Sequence, residues 1–483
     1  MRDRPGRRAG AGQSDPRAAG RGPTAAAASG SVLTSSDFDE AQAYLDDHIN
    51  LEKTAAISAG HVEGLSLDRM RRVVEVLGDP QRDYPVIHLT GTNGKGSTAR
   101  MISALLAAHQ LSVGSYTSPH LEHVTERIAR NDEPIEPEEF ARVMGELKSL
   151  EDQRFFDERP SYFELLTAAG FAWFSQVAVD VAAVEVGLLG RWDATNVADG
   201  QVAVVTNVGK DHTNGRGDWR RRVAEEKAGI VKPGSHLVLG EPDPALTPLF
   251  EAEGPADVWL RDRDFGVIAG RLALGGHVVD LQTPNGVLED VFLPVHGAHQ
   301  ADNAAAAVAA VEAFFGRALA SDVVAEAFGG LRLPGRFEVV HRAPLLVLDG
   351  AHNPDGARAA AATLADEFDV AGTRRWVLGV LGGRDLDEML DSFGVRAGDE
   401  VFTCTPPSPR GIAADELAEV VTARGIRADA VPDVGDALER AWRTAEAGRG
   451  GDGADGGGLV MVTGSLYTVG SARTACRRLG LLG

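Results

Sequence analysis

Only two cysteines, Cys404 and Cys476, occur in 483 residues. A disulfide framework needs more, so the expected setting is a reduced cytoplasm. Basic residues are also scarce: 48 Lys and Arg against 70 Asp and Glu leave a formal net charge of −22. That balance excludes nucleic acid as a partner, because phosphate backbones need clustered Lys and Arg. It does not exclude a nucleotide, which one local nest of backbone amides can hold. Long hydrophobic runs are missing too. None approaches the ~20 residues that span a bilayer, so no membrane partner is expected. What is present, 43% hydrophobic and 24% charged residues, suffices for a sizeable core.

The length suggests about three units at ~150 residues each. Residues 1–33 are rich in Arg, Gly, Ala and Pro and offer little to bury, so they read as a disordered tail. Arg7-Arg8 is followed by no apolar segment, which disfavours an export signal. A start codon assigned too far upstream would read the same way. Asp37 to Ile49 and Ser66 to Leu77 then read as amphipathic helices, with Ser66 as an N-cap.

The stretch VIHLTGTNGKGST, Val86 to Thr98, organises the rest. An apolar strand runs into Gly91, Gly94 and Gly96, and Ala99 to His109 follows as a helix with Met101, Ile102, Leu105 and Leu106 on one face. Strand, glycine turn and helix form a phosphate cradle of backbone N–H groups at a positive helix end. Lys95 can reach a β/γ-phosphate and Ser97 a magnesium ion, which points to ATP with Mg²⁺. The spacing is not that of the common P-loop, because Gly96 separates Lys95 from Ser97.

Further strands end in polar residues. Ser112 to Tyr116 leads to Thr117-Ser-Pro-His-Leu121. His120 and His123, three apart, lack zinc spacing. Ser161 and Glu164 match a capping box opening a helix to about Gln176. Val177 to Val186 reads as a central strand, with Glu185 near its end. A carboxylate there is costly unless paired or bound to metal. Val202 to Val208 leads to Lys210-Asp211-His212, and Glu226-Lys227 follows. Val258 to Leu293 reads as a small β-meander. Asn303 could cap the Ala-rich helix after it. Past Leu331–Pro334, four strands alternate with helices: Leu345–Leu348, Trp376–Val380, Val401–Thr403 and Leu459–Val462. They suggest a doubly wound unit whose ligands sit at the strands' carboxyl ends. Gly448 to Gly458 reads as a flexible loop.

The full string GTNGKGST resembles the nucleotide loop of the Mur ligases, and Gly96 resembles the folylpolyglutamate synthase and dihydrofolate synthase branch. YTSPHL followed by Glu126-Arg127-Ile128 is similar to that branch's signature, and GLLGRWDATN, Gly187 to Asn196, resembles its GLGGRLDATN. Leu189 departs from the family's glycine, and Gly215-Arg216-Gly217 departs from its Leu-Gly loop. The resemblance covers residue 34 onward. It implies an N-terminal P-loop-type parallel-sheet ATPase domain with a small β-meander, at 34–332, and a C-terminal Rossmann-like doubly wound domain at 333–483.

By the same resemblance Thr92, Asn93, Gly94, Lys95, Gly96, Ser97, Asn303, Arg336 and Asp349 contact ATP. Ser97, Ser118, Glu185, His212 and a carbamylated Lys227 hold two magnesium ions. Phe163, Glu164, Trp192, Asp193 and Ala194 lie against a pterin. The implied catalytic set is Lys95, Glu185, His212 and Lys227. The implied reaction joins L-glutamate to dihydropteroate, to a reduced folate or to both through an acyl phosphate, and the protein is expected to act as a monomer. The alternative is a muramyl-type ligase acting on a nucleotide-sugar substrate. Such an enzyme normally carries a substrate domain ahead of the phosphate loop, and only about 50 ordered residues precede it here, near the lower limit for a domain.

Overall fold

A computed structural model of the chain describes residues 35–53, 66–211, 213, 216–448 and 458–482. The expectations for the tail 1–33, for His212, for Gly215 and for the glycine-rich stretch 449–457 concern residues outside that set.

The first sheet has eight strands: β1 (Val86–Thr90), β2 (Val113–Tyr116), β3 (Ile128–Arg130), β4 (Glu133–Pro134), β5 (Val181–Glu185), β6 (Gly200–Val205), β7 (His236–Leu239) and β8 (Asp257–Leu260). Their order is β4-β3-β2-β5-β1-β6-β7-β8. β1 lies between β5 and β6, parallel to both, and all five of its residues are buried. Helices α1 (Ser35–Asp46) and α2 (Asp68–Val76) precede β1, and α3 (Lys95–Ala108) follows it. Ser66 Oγ accepts the Asp68 amide at 2.9 Å, one residue ahead of the assigned cap. Next come α4 (Pro137–Asp152), α5 (Tyr162–Gln176), α6 (Trp219–Ala228) and α7 (Thr247–Glu251). The apolar faces separate cleanly. Ile87 and Leu89 pack with Met101, Ile102, Leu105 and Leu106 of α3, while Val86 and Val184 pack with α5.

Two readings are corrected here. Val177 is the C-cap of α5, not the start of a strand, and its amide donates to Trp173 O. The valines at 177 and 179 close the helix end, and only Val181–Glu185 pairs in the sheet. The expected meander also loses its first segment, because β8 joins the large sheet in parallel with β7. The small sheet is β9 (Gly266–Ala273), β10 (Gly276–Thr283) and β11 (Gly286–Leu293).

Helices α8 (Ala298–Phe315) and α9 (Ser321–Gly329) connect to a second sheet. Its strands are β12 (Glu338–Arg342), β13 (Leu345–Leu348), β14 (Arg374–Leu378), β15 (Glu400–Thr403), β16 (Arg427–Ala430) and β17 (Leu459–Thr463), ordered β12-β13-β17-β14-β15-β16. Four strands were expected. The two added ones are edges, β12 antiparallel to β13 and β16 parallel to β15. Side chains alternate between two cores, Val347 and Met461 on one face, Leu346 and Val460 on the other. Helices cover both faces, which makes this unit doubly wound. Helix α10 (Pro354–Glu367) follows β13, and α11 (Leu386–Phe393) follows β14.

Candidate active site

Strand register brings the sequence-predicted residues together. Leu89 of β1 pairs with Glu185 of β5, and Tyr116 of β2 pairs with Val184. The phosphate loop, Glu185 and the Thr117-Ser118 turn therefore emerge side by side at the carboxyl edge. Gly94 caps α3 at φ +84°, and a Cβ there would collide with Asn303 Oδ1. A Cβ on Gly96 would lie 3.3 Å from Glu185 Oε2. The glycine that broke the common P-loop spacing thus lets an acid approach the loop.

The end of β6 clamps that loop. Asn207 Oδ1 accepts the amides of Thr92 at 3.0 Å and Asn93 at 2.9 Å, and Thr206 Oγ1 donates to Asn93 O at 2.6 Å. Lys95 Nζ curls over the turn and donates to Gly91 O at 3.1 Å. Ser97 is buried at the start of α3. Asn303 is corrected as a cap: α8 begins at Ala298, and Asn303 lies inside it, facing Gly94.

Glu185 is 4% exposed and accepts the Ser118 amide at 3.2 Å. Burial raises its pKa, against the charges of Lys95 and Arg336 and the Ser118 hydrogen bond. Lys227 of α6 is 3% exposed. Burial and the facing charge of Lys95 hold its amine well below the usual lysine range, with Asp211 opposing. Among the described residues no three His, Cys, Asp or Glu side chains gather closely enough to hold a metal by themselves. Glu185, the Ser97 and Ser118 hydroxyls and a Lys227 made acidic would still form an oxygen-rich set of the kind magnesium prefers.

Beside this edge lies a cavity of about 440 Å³ whose wall includes Phe163, Glu164, Leu189, Trp192, Asp193 and Ala194. All five residues expected against a pterin are in that wall. Phe163 packs its ring on the Gly187 backbone, where a Cβ would collide with it. Glu164 is engaged by the chain itself. Its Oε2 accepts the Ser161 amide at 2.7 Å and Arg69 Nε at 2.6 Å. Asp193 accepts the amides of Leu188 (2.8 Å) and Thr195 (3.0 Å) and the Thr195 hydroxyl (2.6 Å). Burial pushes its pKa up to about 6, against those hydrogen bonds. Leu189 sits at φ +58°, a left-handed conformation that favours glycine. Its carbonyl accepts the Thr90 hydroxyl at 2.6 Å, and its side chain packs with Val223 and Ala224 of α6. The backbone therefore keeps a glycine-like turn, and buried contacts offset the strain of the side chain. Arg216 and Gly217, the described part of the departing loop, precede α6.

The second sheet closes the opposite wall. Asp349 follows β13 and accepts the amides of Phe337 at 2.8 Å and Ala351 at 3.0 Å. Arg336 is half-buried beside Gly350, and burial lowers its pKa. Sequence reasoning missed the residues that join the walls. Asn93 and Asn353 exchange side-chain hydrogen bonds at 3.3 and 2.9 Å. Arg384 donates to Asp211 Oδ1 at 2.6 Å, with His352 3.7 Å from Oδ2, and Lys210 pairs with Glu388 at 2.7 Å. Arg410 neighbours Arg384 and Asp211. The only signal was position: Asn353, Arg384 and Arg410 all lie in loops after strands.

A family model described as the Mur ligase glutamate ligase domain matches residues 335–466. The dihydrofolate synthase/folylpolyglutamate synthase of Mycobacterium tuberculosis is 40% identical over 446 residues, 85% of this chain and 89% of that protein. The folylpolyglutamate synthase of Lacticaseibacillus casei is 32% identical over 84% of this chain and 93% of its own length. Among solved structures, Mycobacterium tuberculosis folylpolyglutamate synthase complexed with ADP superposes with a TM-score of 0.81 at 37% identity, covering 91% of this chain and 98% of that one. E. coli FolC in complex with DHPP and ADP gives a TM-score of 0.77 at 28% identity, covering 92% and 98%.

Proposed function

The chain belongs to the dihydrofolate synthase/folylpolyglutamate synthase family of the Mur ligases, and from that premise we propose that it uses ATP to join L-glutamate to dihydropteroate, to a reduced folate or to both. The observation that carries this reading is the convergence of the phosphate loop, Glu185 and Lys227 beside the 440 Å³ cavity. The muramyl-type alternative finds no support among the relatives. The nucleotide part spans 34–332 and the C-terminal part 333–483, and the enzyme works as a monomer in the cytoplasm. The free, buried Cys404 and Cys476 suit that compartment.

A carboxylate has no leaving group an amine can displace. Transfer of the γ-phosphoryl group to it forms an acyl phosphate, and attack by the α-amine of glutamate then expels phosphate. Lys95 and Arg336 approach the transferring group from opposite walls and offset its charge. Asn303, beside Gly94, and Asp349 position the nucleotide. Phe163, Trp192, Asp193 and Ala194 hold the pterin, while Glu164 shapes that wall through its bonds to Ser161 and Arg69. Arg384, Arg410 and His352 gather at Asp211, where the carboxylates of glutamate would meet positive charge. Closure of the two walls excludes water from the acyl phosphate.

Ser97, Ser118, Glu185, Lys227 and His212 would hold two magnesium ions. Bound there, magnesium would supply positive charge that offsets the repulsion between the anionic substrates. Lys227 suits this role only after carbamylation. Its depressed pKa favours the free amine, which adds CO₂ and releases a proton to give an anionic carbamate.

The test is phosphate release from ATP with pterin and glutamate supplied together or singly. The reading expects sustained release only with both. Equal release without glutamate, or with a nucleotide-sugar acceptor in place of the pterin, would overturn it.

A further inference from the structure

Behind the cavity a buried chain of hydrogen bonds runs from β1 to Asp193. Thr195 Oγ1 donates to Asp193 Oδ1 at 2.6 Å and lies 2.9 Å from His88 Nε2. His88 and Thr195 are both fully buried. The hydroxyl has a single proton, and an ionised carboxylate can only accept. Thr195 therefore gives its proton to Asp193 and accepts one from His88. That fixes the imidazole as the neutral Nε2–H tautomer. His88 Nδ1 agrees, since it is buried with no partner among the described residues and tolerates no proton. Burial, aided by the charge of Lys232, holds the ring's pKa down to about 3. Gly200 lets β6 pass close to His88, since a Cβ there would lie 2.9 Å from the His88 Cβ.

The geometry points to His88 and Thr195 as positioning residues for the pterin, holding the Asp193 carboxylate in one orientation in the cavity wall so that it accepts the N–H groups of the ring. This rests on the assignment of the cavity to the pterin. Two features separate it from ordinary core satisfaction. The chain has one possible proton direction, and it ties the cavity wall to the strand that carries the phosphate loop. The other groups facing Asp193 are the amides of Leu188 at 2.8 Å, of Thr195 at 3.0 Å and of Gly187 and, on β2, Tyr116. Lys232, beyond His88, is bound to Asn196.

The test is steady-state kinetics on full-length Thr195→Val, His88→Gln, His88→Leu and Asp193→Asn, varying dihydropteroate and ATP separately. Thr195→Val keeps the volume and loses the donor. It should raise the pterin KM about tenfold, the worth of one buried hydrogen bond, and leave the ATP KM unchanged. With one donor fewer, Asp193 holds its proton more tightly, so the acid limb of kcat/KM for the pterin should move up by about one pH unit. His88→Gln sets an amide donor near the Nε2 position and should stay close to wild type. His88→Leu keeps the Thr195 hydroxyl but frees it to rotate, so it should raise the pterin KM by a smaller factor than Thr195→Val, again with the ATP KM unchanged; if it fails to fold, the Val and Gln variants decide. If Asp193→Asn raises the pterin KM while Thr195→Val moves neither that KM nor the acid limb, the positioning role is overturned and the cavity assignment stands. If Asp193→Asn also leaves the pterin KM unchanged, the cavity assignment fails and the proposal with it. A parallel rise of both KM values in Thr195→Val would mark general damage and likewise overturn the proposal.

Discussion

Each end of the cleft holds a buried carboxylate, and the fold treats the two in opposite ways. Asp193, in the cavity wall, is held by the Leu188 and Thr195 amides and the Thr195 hydroxyl, with the Gly187 amide also facing it. Glu185, at the phosphate end, receives one hydrogen bond among the described residues, from the Ser118 amide. Burial raises the pKa of both. An acid held by neighbouring amides and a hydroxyl keeps one orientation and presents its remaining acceptor capacity to a ligand. An acid buried with one neutral donor is unfavourable alone and becomes favourable when a cation arrives. Stability withheld at Glu185 is the signature of a site completed by something else, a familiar trade-off at functional positions.

The largest effect expected of this contrast is at Lys95, whose charge acts on both Glu185 and Lys227. Lys95→Ala should lower kcat by at least ~100-fold while circular dichroism stays native, because the side chain faces the loop rather than the core. A near-normal rate would break the phosphate-end assignment. Lys227 comes next. Lys227→Ala should be nearly inactive and partly restored by short carboxylic acids in solution. Lys227→Arg should also fail, since guanidinium stays protonated and forms no carbamate. Wild-type activity of Lys227→Arg in CO₂-depleted buffer would leave Lys227 as an ordinary ion-pairing residue.

A smaller effect separates the two acids by stability. A raised folded pKa means that Glu185 favours its protonated form. Its penalty is absent below the unfolded carboxylate range near ~4.3 and grows as pH rises from there toward the folded pKa. Metal-free Glu185→Gln should therefore melt a few degrees above wild type at pH 7.5, where 1 kcal/mol is worth ~2–4 °C, and converge with it near pH 4. Asp193→Asn should melt lower at pH 7.5, because its amide sets N–H against donors. Melting curves in which both variants move the same way would erase the distinction.

The smallest effect concerns Glu367 of α10, a third acid that ties α10 to the small sheet and to the segment before α8. It accepts His296 at 2.7 Å, His277 at 2.8 Å and the Gly297 amide at 2.7 Å. Burial alone would raise its pKa, and these hydrogen bonds outweigh it and hold the carboxyl low. Its contribution is present above the unfolded carboxylate pKa and is lost as pH falls through the folded one. Glu367→Gln should lower Tm by ~1–2 °C equally at pH 7.5 and 5.5, with the gap narrowing only below about pH 4.3. A gap that widened on acidification would contradict this sign.

Much of the site was legible because it is contiguous: a strand, three glycines and a helix encode the phosphate loop within thirteen residues. Glu185 was legible because a charged residue ending an apolar strand demands a reason. Val177 was misjudged because the same valines serve a helix cap or a strand, and only the Trp173 carbonyl decides between them. Asn303 was misjudged because a capping residue and a buried helix residue facing Gly94 look alike in sequence. The short edges β12 and β16 are half-polar and lack a buried-strand pattern. The Asn93–Asn353 and Asp211–Arg384 contacts span 260 and 173 positions and exist only once both sheets are formed.

The most direct measurement compares the magnesium concentration for half-maximal rate with the pterin KM in Glu185→Gln and Asp193→Asn. A double separation is expected. Glu185→Gln should raise the magnesium requirement at least about tenfold, with the pterin KM near wild type, and Asp193→Asn should do the reverse. If both variants shifted the same parameter, or shifted both together, the two ends of the cleft would not have the separate roles assigned to them.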